Sequence, residues 1–197
     1  MALGNPYKNC IWANKPVGDI TQRFGQKRQA YTDMGMLGHN GIDLARGVGE
    51  PHYACEDAIV LHVKHDPAGY GKHVRFISTD GKRLWVYAHC SEIFVEQGQK
   101  IKEGDLVCLE GATGHVSGPH LHLGLRLTKF DNKGWAYEGS DIKIKVLNTN
   151  NGYKGSVDPL PYFLDPTLKS TKLLNLASLR QEKIFIKFAK LLSNIGL

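Results

Sequence analysis

Cysteine, methionine and tryptophan are scarce in this chain: four, three and three among 197 residues. The cysteines, Cys10, Cys55, Cys90 and Cys108, are irregularly spaced and include no CxxC pair, which excludes a zinc knuckle and a regular disulfide framework. They read as free thiols made in a reducing compartment. No stretch approaches the ~18 consecutive apolar residues that a membrane span requires. The N-terminal MALGNPYKNCIWANKPVGD lacks the positive-then-apolar order of an export signal, so the expectation is a protein made in the cytoplasm. Internal repeats and low-complexity tracts are absent too. A chain of this length can bury a core without disulfide staples.

Glycine is plentiful: 22 residues, punctuating short runs of Val, Ile, Leu, Phe and Tyr, with 42% of the chain hydrophobic and 22% charged. That is the composition of a globular protein rich in strands and turns. The formal charge of +6 suits an acidic partner. Because Lys and Arg are spread along the chain, the charge selects no particular one. Nucleic-acid binding has only this charge in its favour, and no nucleic-acid partner is expected.

Residues 1–19 read as an irregular lead-in, and ITQRFGQ (20–26) as a short strand ended by Gly25. From HNGIDLA (39–45) to about Arg126, apolar runs alternate with turn signals, which predicts an antiparallel array with hairpins at DPAGYG and TDGK. After Leu127 the chain turns polar, with one strand expected at Ile142–Leu147. The following SVDPLPYFLDP holds three prolines, which exclude regular structure on this reading. These pieces suggest a flap and a closing segment. In the last 25 or so residues Ala177, Ile184, Phe188, Leu191 and Ile195 fall on one helical stripe. This basic amphipathic helix would dock on the core, on a second copy of the chain or on a membrane surface. The expected fold is mainly β, an antiparallel sheet or sandwich with a substrate groove, plus the C-terminal amphipathic α-helix. The expected organisation is a lead-in (1–19), one domain (20–166; core 20–126, enlarged loop and closing segment 127–166) and a helical extension (167–197).

Alternate side chains of a strand share a face. In GPHLHLGL, His120 and His122 therefore face one site while Leu121 and Leu123 face the other way. In HNGID, His39, Gly41 and Asp43 share a face, and an imidazole and a carboxylate flanking a glycine gap look like two metal ligands. In VYAHC, Tyr87 and His89 are expected on one face, opposite Val86 and Ala88. Any single histidine is most often a satisfied structural residue. Three strands that each carry His or Asp, where a solvated sheet would show Lys, Glu or Thr, are better read as the floor of a groove. Catalytic zinc takes three protein ligands, chiefly His and Asp or Glu, and keeps a fourth position for water. One Asp and two His would supply that set and leave two further imidazoles for proton transfer.

HNGID, VYAH and GPHLHLGL stand in the order of the lysostaphin and LytM-type zinc metallopeptidases, which are peptidoglycan endopeptidases. ITQRFG, GYGKHVRFI, QGQKIKEGD and the glycine-rich GATGHVSG match as well, so the resemblance covers roughly residues 18–126. It implies one Zn2+ per chain held by His39, Asp43 and His122, with His89 and His120 as the catalytic pair. HNGID lacks the glutamate of an HExxH motif, so a histidine must serve as base. His120 is assigned as general base and His89 as oxyanion donor, roles that could be exchanged. Tyr87, Gly41, His115 and Gly118 are candidate substrate contacts.

The resemblance further implies bacterial peptidoglycan as the partner, cut in a stem or cross-link peptide or in a glycine bridge. A lytic enzyme released at phage lysis or carried in a virion fits the free cysteines and basic tail, with a bacterial enzyme exported without a readable signal as the competing expectation. Two other classes stay open at this point. One is a non-catalytic relative that binds peptidoglycan or activates an amidase, and the other is a phage tail component with accessory lytic activity. The sequence leaves the oligomeric state undetermined.

Overall fold

A computed structural model describes residues 20–164. The expected lead-in 1–19 and the C-terminal amphipathic helix lie outside the described residues. The elements run Ile20–Gln22 (β1), Arg28–Tyr31 (α1), Ile42–Leu44 (β2), Pro51–Tyr53 (β3), Ala58–Asp66 (β4), Gly71–Ser78 (β5), Arg83–Cys90 (β6), Glu92–Ile93 (β7), Lys100–Ile101 (β8), Leu106–Leu109 (β9), Leu121–Trp135 (β10), Ile144–Val146 (β11), Ser156–Val157 (β12) and Leu160–Leu164 (α2). The described chain is mainly β, with antiparallel pairing between its strands.

Among the described residues the larger sheet runs β1-β2-β10-β6-β5-β4-β8, with β11 and β12 also paired to β10, and β3-β9-β7 form a smaller one. The two hairpins expected at DPAGYG and TDGK join β4 to β5 and β5 to β6. In the second, Gly81 takes a left-handed φ of 73° while its N–H donates to the Ser78 carbonyl, a turn conformation glycine adopts at little cost.

One face of the larger sheet is hydrophobic, as the alternation requires. Ile42, Leu121, Leu123, Leu125, Phe76, Trp85 and Tyr87 are all buried, and the Tyr87 hydroxyl donates to the Tyr53 carbonyl of β3, so the smaller sheet lies over this face. The opposite face carries a second cluster, Leu61, Ile77, Leu84, Tyr137 and Ile144. The remainder of that face is left for the site.

Two expectations about the C-terminal part of the domain are corrected. β10 does not stop near Leu127 but continues to Trp135, where Thr128–Phe130 pair with Val146–Ile144 of β11. The extension reads as polar because most of its side chains face solvent. SVDPLPYFLDP also contains regular structure: β12 pairs with Leu125 and Arg126 of β10, and α2 follows. Pro161 is tolerated there because it stands in the first turn, where a backbone N–H has no helical partner anyway. The Asp158 carboxylate accepts the Leu160 N–H at 3.0 Å.

Candidate metal centre

The register of three strands builds the site. His122 of β10 lies opposite Asp43 of β2 on one side and Ala88 of β6 on the other, and directly opposed residues of an antiparallel pair share a face. His39 precedes β2, and its backbone is tied down by bonds from Gly25 N–H to His39 O (2.8 Å) and from His39 N–H to Gln26 O (3.0 Å).

His39 Nε2, His122 Nδ1 and Asp43 Oδ1 converge. The two nitrogens are 2.9 Å apart, and each lies 3.1 Å from the carboxylate oxygen. Tetrahedral zinc with N and O ligands at 2.0–2.1 Å spaces its ligand atoms about 3.4 Å apart, close to this triangle. The His39 Nδ1–H points at the Arg23 carbonyl, 3.3 Å away. That tautomer leaves Nε2 as a lone pair facing the other two atoms, and the carbonyl behind the ring fixes its direction, as suits a metal ligand. Three electron-pair donors with at most one proton among them are what a divalent cation neutralises, so the residues fit zinc.

The protonation states agree. Burial holds His122 below the usual imidazole range, so the ring is neutral. Burial by itself would raise Asp43, but the imidazoles of His122 and His39 beside the carboxylate outweigh it and hold the carboxyl well below its ordinary range. A neutral imidazole and an ionised carboxylate are the forms that bind a metal.

His120 and His89 flank the triangle. The Nδ1–H of His120 donates to Gly118 O at 2.9 Å, and its Nε2 lies 3.7 Å from Asp43 Oδ1. The Nδ1–H of His89 donates to Thr113 O at 2.9 Å. The two rings are centred 4.8 Å apart. With Nδ1 held in this way, Nε2 is the nitrogen each ring turns away from its backbone partner. Burial, assisted by His122 and His120, lowers His89 to about 4.

His89 departs from the expected alternation. Tyr87 pairs with Leu123 on the core face, whereas His122 pairs with Ala88 on the site face. Strict alternation would therefore bury His89 beside Tyr87. Instead His89 has a left-handed φ of 66°, which takes it out of regular strand geometry and brings its ring to within 6.1 Å of that of His122.

The candidate substrate contacts divide. Tyr87 is not at the site: it is fully buried, its hydroxyl donates to Tyr53 O, and its ring packs edge-on against Phe76. Gly41 does not leave room for substrate either. A Cβ there would stand 2.4 Å from Leu123 O and 2.7 Å from His122 Cε1, so the gap is filled by the His122 ring. His115 is exposed, with its N–H on Gly69 O. Gly118 has open space beside it and orients His120 through its carbonyl.

The sequence reading missed Tyr70 and Asn40. Tyr70 lies in the DPAGYG hairpin, its ring centred 5.4 Å from His122, and its hydroxyl accepts from Asn40 Nδ2 at 2.9 Å. The one available signal was an aromatic residue inside a glycine turn.

The sequence profile of peptidase family M23 matches residues 37–135, half of the chain and the part that holds all five residues of the site. The chain belongs to peptidase family M23. M23 peptidases are zinc enzymes, and His39, Asp43 and His122 form the cluster in this member that could hold the ion. It is 35% identical over 110 residues to the peptidoglycan DD-endopeptidase ShyB of Vibrio cholerae, covering 56% of this chain and 25% of that protein. It is 28% identical over 126 residues to the glycyl-glycine endopeptidase ALE-1 of Staphylococcus capitis, covering 59% and 34%. Among solved structures, a zinc-containing peptidase from Vibrio cholerae matches with a TM-score of 0.50 at 33% identity, covering 55% of this chain and 33% of that one. The chain thus spans between a quarter and a third of the lengths of these curated relatives. Among the described residues no helix is long and apolar enough to cross a membrane.

Proposed function

We propose that this M23 chain is a zinc-dependent endopeptidase that hydrolyses peptide bonds in bacterial peptidoglycan. The observation that carries this reading is the His39–Asp43–His122 triangle flanked by two imidazoles whose Nδ1 atoms are both held by backbone carbonyls. Peptidoglycan as substrate is supported by relatives that act on it.

His39 Nε2, Asp43 Oδ1 and His122 Nδ1 would hold the zinc. When bound, the ion supplies Lewis acidity that polarises a carbonyl and acidifies water. His120, whose Nε2 borders the ligand set, accepts the proton of the attacking water and returns it to the leaving amine. His89 is the oxyanion donor in this reading: its Nε2 takes up a proton from solvent as negative charge develops on the carbonyl oxygen, and donates a hydrogen bond to it. Gly118 and Thr113 act through their carbonyls, which fix the tautomer and direction of these two rings. Cys55, Cys90 and Cys108 are free and buried, which suits synthesis in a reducing compartment, with release to the wall at phage lysis or on a virion.

The test is digestion of purified sacculi of directly cross-linked and glycine-bridged types, with and without chelator, the fragments identified by mass spectrometry. Cleavage of at least one wall type that stops on chelation and returns with zinc is expected. A fully zinc-loaded chain that cuts no wall type would overturn the reading and favour a peptidoglycan-binding module.

A further inference from the structure

Beside the metal centre, on the same face of the larger sheet, is an open cavity of about 400 Å³ lined by His62, Lys64, His65, Asp66, His73 and Arg75. The pairing places it. Gly124 of β10 faces Val86 of β6, Val86 faces Arg75 of β5, and Arg75 faces His62 of β4, so these four residues form one row across four strands. Gly124 shares the site face with His122, two residues before it. With strands about 4.8 Å apart and a rise of about 3.4 Å per residue, the Arg75 backbone lies about 12 Å from that of His122. An extended peptide covers that span in three to four residues, at about 3.3–3.6 Å each.

Arg75 is the centre of this cavity. Its guanidinium carbon lies 5.7 Å from the ring centre of Tyr70 and 5.3 Å from that of Tyr137, so two aromatic rings orient it. Tyr70 also packs near His122, so the ring that orients Arg75 stands between it and the metal centre. Among the described residues the Arg75 side chain makes one hydrogen bond, from Nη1 to the Tyr137 hydroxyl at 3.2 Å, and its Nε is buried without a partner. Arginine presents a planar fork of donors that matches a carboxylate. Lys64 adds a second positive charge at the rim, against the carboxylates of Asp66 in the lining and of Glu138 near His62. His62 registers the field: burial, then the charges of Arg75, His73 and Lys64, lower its pKa to about 4.

We propose that Arg75 and the cavity around it form a subsite for a carboxylate of the substrate peptide. The proposal rests on the peptidoglycan reading above and narrows it to anionic stem and cross-link peptides, since an uncharged glycine bridge offers nothing for this guanidinium to hold.

Calorimetric titration of the full-length, zinc-loaded chain tests it with two synthetic forms of one uncross-linked stem tetrapeptide, one with free carboxylates and one fully amidated. The free form is expected to bind at least tenfold tighter, and Arg75→Gln should shrink the difference to less than threefold. Equal binding of the two forms, binding of neither, or an undiminished preference in Arg75→Gln would overturn the subsite. Should Arg75→Gln fail to fold by thermal melting and zinc content, Arg75→Lys takes its place. It keeps the charge but loses the fork, so the preference should fall at least threefold, and an undiminished one overturns the proposal. Cleavage of the matching cross-linked peptides separates the two readings. Cleavage that ignores amidation sinks the subsite and leaves the peptidase; carboxylate-selective binding with no wall peptide cut sinks the peptidase and leaves the subsite.

Discussion

His122 and Asp43 are Cα partners across the β2–β10 pair, and this register brings His122 Nδ1 to 3.1 Å from Asp43 Oδ1. Two donor atoms of the candidate metal centre, 79 positions apart in the chain, are thus positioned by backbone hydrogen bonding, not by flexible loops. A one-residue slip of β10 would turn His122 to the core and Leu123 to the site.

The proposed ligands and the proposed catalytic pair separate by assay. His39→Ala, Asp43→Ala and His122→Ala should each bring zinc, measured by elemental mass spectrometry, from near stoichiometric to near none. His120→Ala should keep the metal and lose about 10²–10⁴-fold in cleavage, the range for a general base. Zinc loss in His120→Ala would show that the ligand assignment is wrong.

Glycine at position 89 tests the flipped backbone. A left-handed non-glycine residue costs on the order of 1 kcal/mol or more, and His89 holds a φ of 66°. His89→Gly should therefore melt at the same temperature or higher, retain zinc and lose cleavage. Cleavage at the wild-type rate would remove His89 from the mechanism.

Crowding at Gly41 makes the smallest substitution costly. The new methyl of Gly41→Ala meets Leu123 O and the His122 ring, so a loss of about 1–3 kcal/mol is expected, as for other overpacked sites. Zinc affinity should fall with it, since His122 is the side chain that must move. Urea unfolding and zinc titration of the one variant check both; unchanged values would contradict the packing.

Removing the metal should destabilise the fold as well as abolish cleavage. A ligand present at a hundred times its dissociation constant stabilises by about 2.7 kcal/mol. Chelated protein should accordingly melt lower, and zinc should restore the melting temperature. An unchanged melt would argue against a metal site built into the folded core.

Glu110 anchors the exit of β2. Its carboxylate is fully buried, accepts the N–H groups of Arg46 and Gly47 and lies 3.4 Å from His52 Nε2. Burial alone would raise its pKa, but the hydrogen bonds from His52, Gly47 and Arg46 outweigh it, and the net shift is downward. A folded-state value below the unfolded one gives stability that is present above the ordinary glutamate value, about 4.3, and is lost as pH falls through the folded value. Glu110→Ala should cost about 3 kcal/mol near neutral pH, as when a buried partner is removed. Its deficit against wild type in urea unfolding should shrink below pH 4. A deficit that does not change with pH would assign the loss to packing instead.

The sequence by itself determined what depends on local periodicity. Leu121 and Leu123 are buried and His122 faces away from them because alternation is a property of any extended chain. The hairpins at DPAGYG and TDGK follow from turn chemistry within a few residues. What failed was inference that extended the pattern through an irregularity or judged space from a side chain's absence. Tyr87 and His89 lie two apart yet face opposite ways, because one left-handed residue ends the alternation. The gap at Gly41 belongs to His122, a neighbour supplied from another strand. The row from Gly124 through Val86 and Arg75 to His62 has no trace in the linear order. Pairing and register between strands are settled by burial over the whole sheet, so only the tertiary structure could decide them.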